Sequence, residues 1–453
     1  MVARRAAVEI VRTLRERGHQ AYLVGGCVRD LLLGREPADY DVSTDATPDQ
    51  VIRIFPQTYA VGVQFGVVLV PMEGGLGGEE LPAEHLKVIE VATFRSDGVY
   101  SDGRHPDKVR YSTDPREDVQ RRDFTINGLM LDPLDRDRVL DFVGGQEDLQ
   151  RGIVRTIGEA ERRFSEDKLR MLRAVRFAAR FGFEIDSETF AWIRKLAPQI
   201  HQVSRERVRD ELTKMLTEGH ARRAFELLDE TGLLHEVLPE IERMKGVQQP
   251  PQFHPEGDVW VHTLLLLSML EPGVSKTLAW GALLHDVGKP STFRIAPDRI
   301  RFDGHVEVGV RMAEEICRRF RMSNEETEQI MALVENHMRF GNVEEMKDST
   351  FKRFIRLPNF DEHLELHRID SLSSHAILDL YDYTREKMAQ LPPEEVRPEH
   401  FISGDDLIAA GYRPGPHFKE ILTAVEDAQL EGRVRSKEEA MELVRTQYPA
   451  RSA

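Results

Sequence analysis

The chain has 453 residues, of which 40% are hydrophobic and 31% charged, a composition typical of a soluble globular protein with roughly two to four domains. Its two cysteines exclude a disulfide framework or a cysteine-rich zinc site, and no apolar run approaches the ~20 residues that a membrane span needs. The net charge of −16 argues against a protein that binds polyanions through an overall positive charge.

The start of the chain predicts an amphipathic helix and not a signal peptide. Ala7, Ile10, Val11 and Leu14 recur at helical spacing, whereas a long apolar core and a small-residue cleavage site are both missing. Together with the low cysteine count, this segment leads us to expect a cytoplasmic protein that has no membrane partner.

Strand and helix signals then alternate over the first 150 residues. Strands are predicted in AYLVGG (21–26), DYDVSTD (39–45), FGVVLVPM (65–72) and LKVIEVATF (86–94). Helices are predicted in VRDLLLG (28–34) and in TPDQVIRIF (47–55), which Thr47 caps. The glycine-rich stretch EGGLGGEELPAEH (73–85) predicts a flexible surface loop.

After about residue 150 the strand signals stop, and helical patterns run to the end of the chain. Proline-rich segments at 247–257 and 390–400 indicate domain boundaries. The predicted fold is therefore α+β, with an α/β head followed by all-α parts. We place the head at 1–150, a helical neck at 151–215, a helical body at 216–250, a further helical domain at 258–375 and a helical tail at 395–453.

The head carries residues suited to nucleotidyl transfer. Asp39 and Asp41 lie two positions apart on one predicted strand, so their carboxylates face the same side. Glu90 on a later strand offers a third carboxylate. Carboxylates together with substrate phosphates are the ligands that Mg²⁺ prefers, and two such ions can clamp an in-line phosphoryl displacement. Gly25 and Gly26 permit close approach of the backbone to a triphosphate.

Arg29 follows the two glycines and is predicted to add a charge-assisted contact to a phosphate. A lone DxD or a lone GG is common in turns and surface strands. The ordered combination of GGxxRD, then DxD, then an acidic residue on a strand is much more specific, and it favours a nucleotidyl transfer site.

These motifs resemble the head of the class II tRNA nucleotidyltransferases and bacterial poly(A) polymerases, within the polymerase-β-like superfamily. The resemblance is carried by LVGGCVRDLLLG (23–34), ADYDVSTDATP (38–48), EDVQRRDFTINGLMLDP (117–133) and RFSEDKLRMLRAVRFAARFGFEID (163–186). With the helical remainder it covers nearly the whole chain. It implies addition of CCA to tRNA 3′ ends from CTP and ATP, with Mg²⁺ and without a nucleic-acid template.

The third of these stretches resembles the family's nucleotide-sugar motif. The resemblance implies that Arg122 reaches the triphosphate and that Asp123 and Asn127 face the ribose. A carboxylate and an amide can both bind a 2′-hydroxyl, which distinguishes a ribonucleotide from a deoxyribonucleotide. A surface ion pair between Arg122 and Asp123 is the plain structural alternative.

The fourth stretch resembles the family's base-selecting motif. It implies that Glu166, Asp167 and Arg170 form a protein template for the base edge, and that Arg173 and Arg176 contact nucleotide or phosphate. An aspartate accepts from an exocyclic amino group and an arginine donates to ring nitrogen or carbonyl oxygen. Such a pair accepts CTP and ATP and rejects UTP and GTP.

The helix in this stretch is predicted to begin at a Ser165 cap. At 100° per residue, Arg170, Arg173, Arg176 and Arg180 fall within an arc of roughly 120°. A solvated basic face is the default interpretation for any one of these arginines.

Which nucleotides are added depends on a segment of the head. FRSDGVYSDGRHPDKVRYS (94–112) resembles the full-length flexible loop that CC-only enzymes lack, which disfavours CC-only addition. A-only addition and poly(A) synthesis stay open as alternatives to CCA addition.

The further helical domain carries a second constellation. ALLHDVGKP (282–290) places His285 beside Asp286, His262 precedes them and Asp370 follows. This order on helices matches the HD phosphohydrolase superfamily. Imidazole with carboxylate suits a divalent transition metal, and the ligand types leave Mn²⁺, Fe²⁺, Ni²⁺ and Zn²⁺ open.

His305 and His337 lie where HD proteins with extra ligands place histidines, and Lys289 is predicted to hold a phosphate. The resemblance implies phosphatase or 2′,3′-cyclic phosphodiesterase activity, suited to trimming damaged tRNA ends. Two alternatives stay open: an HD fold kept only as a scaffold, and a hydrolase whose head merely binds RNA.

The tail segment FISGDDLIAAGYRPGPHFKEIL (401–422) resembles the C-terminal part of bacterial family members with HD modules. The Gly-Pro turn between its two helices can expose backbone N–H groups to a phosphate, which suits a grip on the tRNA body. A plain helical hairpin is an equal alternative, and the sequence leaves the oligomeric state open.

Overall fold

The computed structural model describes residues 2–59, 66–71, 88–98, 109–252 and 254–449. The glycine-rich segment 73–85 lies outside the described residues, as do residues 99–108 of the segment 94–112. The chain divides into two compact units, Met1–Glu242 and Arg243–Ala453. Among the described residues, no helix is long and apolar enough to cross a membrane.

The first unit begins with a head built on one six-stranded sheet. Its elements are α1 (Val2–Glu16), β1 (Ala21–Val24), α2 (Gly26–Leu32), β2 (Asp41–Thr44), α3 (Pro48–Ile54), β3 (Val67–Pro71), β4 (Val88–Thr93), β5 (Arg95–Asp97), β6 (Val109–Tyr111), α4 (Pro115–Gln120), a 3₁₀ turn (Thr125–Asn127), β7 (Leu129–Asp132) and β8 (Arg138–Asp141). Strands β5 and β6 form a separate hairpin. The predicted strands and helices of the head are confirmed, except that β2 begins at Asp41 and leaves Asp39 outside it.

The sheet order is β3-β4-β2-β1-β7-β8. Strands β2 and β4 run parallel with Asp41 opposite Glu90, and the other neighbours are antiparallel. In the centre of the sheet, Val24 of β1 pairs with Asp41. This register places the glycine turn after β1 beside the first residue of β2.

Helix α1 covers the sheet with the apolar stripe that the sequence predicts. Its residues Ala7, Ile10, Val11 and Leu14 are buried, and the helix packs on β1 and β2. Burial of such a stripe, and not helix propensity, supplies most of the stability of a surface helix.

The rest of the first unit is mainly helical. It contains α5 (Gly145–Arg151), β9 (Ile153–Val154), α6 (Ala160–Glu166), α7 (Leu169–Phe181), β10 (Glu184–Ile185), α8 (Ser187–Leu196), a 3₁₀ turn (Ala197–Gln202), α9 (Arg205–Thr217), α10 (Ala221–Glu230), α11 (Leu233–Val237) and α12 (Pro239–Glu242). The prediction of no strands after residue 150 is wrong in detail, because β9 and β10 form a short parallel pair. Two residues per strand are too few to leave a periodic signal.

The predicted Ser165 cap is also wrong. Ser165 lies inside α6, and this helix ends before Asp167, whose φ of −149° is not helical. The Asp167 side chain accepts a hydrogen bond from the Leu169 N–H at 3.0 Å and so takes over the capping role.

The second unit is helical with one short hairpin. It contains α13 (Val259–Leu267), α14 (Lys276–Leu284), α15 (Lys289–Thr292), β11 (Arg294–Ile295), β12 (Ile300–Arg301), α16 (His305–Arg319), α17 (Asn324–Asn336), a 3₁₀ segment (His337–Glu345), α18 (Asp348–Phe354), α19 (Phe360–Ser373), α20 (Asp379–Gln390), α21 (Pro393–Val396), α22 (Gly404–Ala409), α23 (His417–Leu430) and α24 (Lys437–Gln447). Helix α14 is buried from Leu278 to Leu284 and packs against α13, α17 and α19, with Trp280 only 1% exposed.

Candidate functional sites

The turn between β1 and α2 requires glycine at position 25. Gly25 has φ of +77° and ψ of −132°, and its N–H donates to the Leu129 carbonyl oxygen at 3.1 Å. A Cβ atom at this position would lie 3.2 Å from the Arg122 Nη1 atom. The turn therefore brings bare backbone close to a guanidinium group.

Replacing Gly25 by alanine is expected to weaken CTP binding about tenfold or more, because the strained backbone costs roughly 1–3 kcal/mol and the methyl group crowds Arg122. Gly34 is a matched control, since it also has a positive φ, +67°, but an added Cβ would meet nothing within 4 Å. Isothermal titration of both variants with CTP and Mg²⁺ measures the difference. Equal losses in the two variants would contradict a role for the turn in nucleotide binding.

The three candidate metal carboxylates of the head are close enough to interact electrostatically. Asp41 and Glu90 face each other across the parallel strands β2 and β4. Asp39 is exposed, whereas Tyr40 between Asp39 and Asp41 is buried. Among the described residues, the tight ligand clusters are in the second unit, so the head carboxylates form an open set.

Electrostatic repulsion among these carboxylates favours a cation. Burial raises the pKa of Asp41 to about 6, Glu90 and Asp39 add to the rise, and Arg122 opposes it. Partial burial and Asp39 also raise the pKa of Glu90. Oxygen ligands that repel one another and lack a sufficient counter-ion fit a hard divalent cation such as Mg²⁺.

Arg122 is held near these carboxylates by a residue that the sequence analysis missed. Asp118 is fully buried and accepts from the Nη2 atom of Arg122 at 3.0 Å, while Ser43 donates to the same carboxylate at 3.3 Å. Asp118 also pairs with Arg121 at 2.8 Å. The sequence did carry a signal for this pairing, because Asp118 precedes Arg121 by three residues and Arg122 by four, which places all three on one helix face.

The predicted ribose-facing residues are brought together. The Asn127 Nδ2 atom donates to the Asp123 Oδ1 atom at 3.1 Å, and the Arg173 Nη2 atom lies 2.7 Å from the Asp123 Oδ2 atom. Burial tends to raise the pKa of Asp123, but the charges of Arg173 and Arg170 outweigh it and hold that pKa at about 2. The carboxylate is thus ionised and acts as an acceptor.

Arg29 does not occupy the place predicted for it. It is only 5% exposed, and its guanidinium donates to Asn127 Oδ1 at 2.6 Å and to Asp30 Oδ1 at 2.8 Å. The predicted phosphate contact does not fit this arrangement, because the Arg29 guanidinium is buried and already donates to acceptors within the protein.

All three residues predicted to form the base template are held in ion pairs. Arg170 Nη1 lies 2.8 Å from Glu166 Oε2, and Asp167 accepts two hydrogen bonds from Arg207 at 2.7 and 3.3 Å. The sequence analysis missed Arg207 of α9. Arg176, predicted to contact nucleotide or phosphate, is instead 6% exposed and bound to Glu211 at 2.7 Å, so it joins α7 to α9.

The second unit gathers all six predicted ligands of the HD motif. They form two groups of three, His262 with His285 and Asp370, and Asp286 with His305 and His337. The two groups adjoin, since Asp286 Oδ2 lies 3.2 Å from His285 Nε2 while its Oδ1 lies 3.8 Å from His337 Nε2.

The histidines of the HD motif are oriented for metal binding. The Nδ1 atoms of His285, His305 and His337 bond to backbone carbonyl oxygens at 2.7–2.9 Å, and a carbonyl can only accept. The proton is therefore on Nδ1, which leaves the Nε2 lone pair for a metal. The Nε2 atoms of His305 and His337 are buried without a hydrogen-bond partner, so these residues fit a metal centre.

The charge states of these histidines agree with that fit. Burial lowers the pKa of His337 to about 4, so it is neutral at pH 7, as a ligand must be. Burial also disfavours charge on His262, but Asp370 and Glu256 outweigh it and raise its pKa to about 9. A divalent cation would replace that proton. Glu256, which accepts from His262 Nδ1 at 2.9 Å, is a supporting residue that the sequence analysis missed.

Lys289 lies at the edge of this centre and is 6% exposed. Its Nζ atom is 2.7 Å from Asp286 Oδ2 and donates to Gln249 Oε1 at 2.7 Å. A cavity of about 420 Å³ opens beside it, lined by ligands of both groups and by Arg299 and Arg301. The cavity thus places the basic residues Lys289, Arg299 and Arg301 beside the candidate metal centre, although Asp303 also lines it.

Three family models match the chain. They are described as "Poly A polymerase head domain" at 21–155, "Probable RNA and SrmB- binding site of polymerase A" at 182–245 and "HD domain" at 259–386.

Curated relatives and solved structures agree with these models. The CCA-adding enzyme of Geobacillus sp. (strain WCH70) is 32% identical over 440 residues, which cover 96% of this chain and 94% of that protein. The match to the CCA-adding enzyme of Geobacillus thermodenitrificans is 44% identical but spans only 53% of that protein, about half its length. The structure of the Bacillus stearothermophilus CCA-adding enzyme in complex with CTP has a TM-score of 0.74 at 29% identity, over 98% of both chains.

Proposed function

The chain belongs to the family of CCA-adding enzymes, and from this premise we propose that it adds CCA to the 3′ end of tRNA from CTP and ATP without a nucleic-acid template. The observation that carries the proposal is the pairing of Asp41 with Glu90 beside the glycine turn and Arg122. Carboxylates, a bare backbone turn and a cation are what in-line attack on a nucleoside triphosphate needs.

Each part of the head has a proposed task. Asp39, Asp41 and Glu90 would hold Mg²⁺, which when bound supplies positive charge to the attacking and leaving oxygens. Arg122, fixed by Asp118, binds the triphosphate beside Gly25. The Asp123–Asn127 pair binds the ribose.

Base selection is proposed to use the two ion pairs at the start of α7. Arg170 and Asp167 have the donors and acceptor that match the edges of cytosine and adenine. Glu166 and Arg207 hold them until a nucleotide arrives, so binding of a base exchanges protein contacts for base contacts. A base that has a carbonyl oxygen where cytosine has N4 and adenine has N6, as uracil and guanine do, leaves Asp167 without its new donor and is rejected.

The HD centre supports a second activity, hydrolysis of phosphate esters. We propose that a divalent transition metal binds there, held by His262, His285, Asp286 and Asp370 together with His305 and His337. A bound metal supplies Lewis acidity and an activated water. The cationic residues Arg299 and Arg301 attract an anionic substrate into the cavity, such as a phosphorylated or cyclic-phosphate RNA end.

The proposed partner is tRNA and the proposed compartment is the cytoplasm. Cys27 and Cys317 are buried and unpaired, which suits a reducing environment. The acidic net charge means that local cationic surfaces must bind the RNA phosphates.

The primary function is tested with two tRNA transcripts, one ending at the discriminator base and one ending in CC. Each is incubated with the protein, Mg²⁺ and CTP, ATP or both, and the products are resolved at single-nucleotide length. Three residues added to the first transcript, only with both nucleotides, is the expected result. Addition of a single A to the CC-ending transcript, with none to the first, would make the protein an A-adding enzyme instead.

A further inference from the structure

Each of the three guanidinium nitrogens of Arg29 has an acceptor. In addition to its hydrogen bonds to Asn127 and Asp30, it lies over the rings of Phe181 and Phe177, at 4.6 and 5.2 Å from their centroids. Both rings belong to α7, whereas Arg29 belongs to α2. The arginine therefore joins α2 of the head to α7, the helix that carries Arg170.

The bond from Arg29 fixes the orientation of the Asn127 amide. Asn127 Oδ1 accepts from the Arg29 Nη1 atom at 2.6 Å, so the amide oxygen faces the arginine and the Nδ2 atom faces Asp123. A guanidinium can only donate, which excludes the flipped amide. Asn127 is 7% exposed, and a buried amide oxygen without a donor is costly.

The same bond therefore reaches Asp123 through Asn127. Asp123 Oδ1 accepts from Asn127 Nδ2 and from the Phe124 N–H, and Oδ2 accepts from Arg173. Arg29 and Arg173 thus clamp the carboxylate–amide pair from opposite ends. Loss of either cation frees one end of the pair to rotate.

We propose that Arg29 is a positioning residue for ribose recognition, which sets the Asn127 amide and through it the preference for ribonucleotides over deoxyribonucleotides. The inference rests on the proposed function, in which Asp123 and Asn127 face the ribose. Its substrate contact is indirect, since Arg29 itself is buried beneath the pair. A hydrogen bond to the 2′-hydroxyl depends on the direction of the amide and carboxylate groups. Binding of the other parts of the nucleotide does not depend on that direction.

The test compares CTP with dCTP in the full-length protein and in the variants Arg29→Met and Arg29→Lys. Titration calorimetry with Mg²⁺ gives the affinity for each nucleotide, and single-turnover extension of tRNA gives the rates. The CTP-to-dCTP preference is expected to fall about tenfold in Arg29→Met. Arg29→Lys keeps one donor for Asn127 and disturbs folding less. Its CTP-to-dCTP preference is expected to lie between those of Arg29→Met and the wild type.

Arg35→Met is the matched control. Arg35 lies over the same Phe181 ring, 5.1 Å from its centroid, but it is exposed and its side chain is no part of the Asn127 network. The preference of Arg35→Met for CTP over dCTP is expected to equal that of the wild type.

Losses that are equal for CTP and dCTP, in Arg29→Lys as in Arg29→Met, would overturn the inference and leave Arg29 a structural role only. Wild-type protein that binds CTP no better than dCTP would overturn it as well. Failure of the proposed function is distinguishable, because it appears as wild-type protein that prefers CTP in calorimetry but extends no tRNA.

Discussion

Replacement of Asp41 by alanine is expected to lower CMP addition to tRNA by about 10³-fold or more, while phosphate-ester hydrolysis by the second unit is unchanged. Asp41 is partly buried at the sheet centre, directly opposite Glu90, and its carboxylate is the best enclosed of the three. Loss of a metal ligand at the point of phosphoryl transfer costs several kcal/mol of transition-state stabilisation. Single-turnover extension measures the first activity, and release of phosphate from a model ester measures the second.

Asp49→Ala is the control for this variant, because Asp49 is an exposed carboxylate on the adjacent helix α3 and should leave both activities unchanged. Nucleotide addition that persists in Asp41→Ala would place the chemistry elsewhere. Loss of both activities together would indicate a folding defect instead of a lost ligand.

Asp41→Asn should lose nucleotide addition yet unfold at a higher temperature than the wild type when EDTA is present. The pKa of Asp41 is raised from 3.8 to about 6 by burial and by Glu90, so the ionised form is disfavoured in the folded protein. A carboxyl with a raised pKa destabilises the fold as pH rises from about 4 to 6, and the penalty is complete at pH 7. A lower unfolding temperature for Asp41→Asn at pH 7 would contradict this account of the carboxylate cluster.

The second large effect is expected in the HD centre. Asp286→Asn should retain little divalent metal after dialysis and should abolish ester hydrolysis, whereas CCA addition continues. Asp286 is the carboxylate that lies between the two ligand groups, 3.2 Å from His285 Nε2 and 3.8 Å from His337 Nε2. An amide keeps the shape, but it removes the charge that both groups share. Asparagine is preferred to alanine because its amide oxygen can still accept a hydrogen bond from the buried Lys289.

Asp303→Asn is the matched control, since Asp303 lines the same cavity and belongs to neither ligand group. Plasma mass spectrometry gives the metal content per chain, and phosphate release gives the hydrolysis rate. Hydrolysis that is unchanged in Asp286→Asn would place that activity elsewhere and leave the HD fold as a scaffold, and unchanged metal content would mean that Asp286 is not a ligand.

The sequence predicts the local structure of the head well, because its signals are local. Gly25 marks the turn after β1, the apolar run of valines marks β3, and Thr47 marks the start of α3. The α+β class, the helical remainder and the HD order are confirmed, because hydrophobic period and residue spacing carry them. The finer domain limits and the roles of the site residues stay predictions.

The arginines show where sequence reasoning fails. Arg29 and Arg176 both look like phosphate ligands, but each is buried against a partner distant in the chain, Asn127 and Glu211. A guanidinium is equally suited to a phosphate, a carboxylate or an amide oxygen, so only the tertiary fold decides between them. Asp118, Arg207 and Glu256 were missed for the same reason, since each acts on another side chain and not on a substrate.

The most direct test of the account is to sequence the 3′ ends produced from a tRNA transcript that stops at the discriminator base. The reaction contains the wild-type protein, Mg²⁺ and all four nucleoside triphosphates, with no other nucleic acid. We expect C, C and A in that order and then a stop, with no U or G, because Asp167 and Arg170 admit only bases with an amino group at the position of cytosine N4 or adenine N6. A run of A residues, incorporation of U or G, or no extension at all would contradict it.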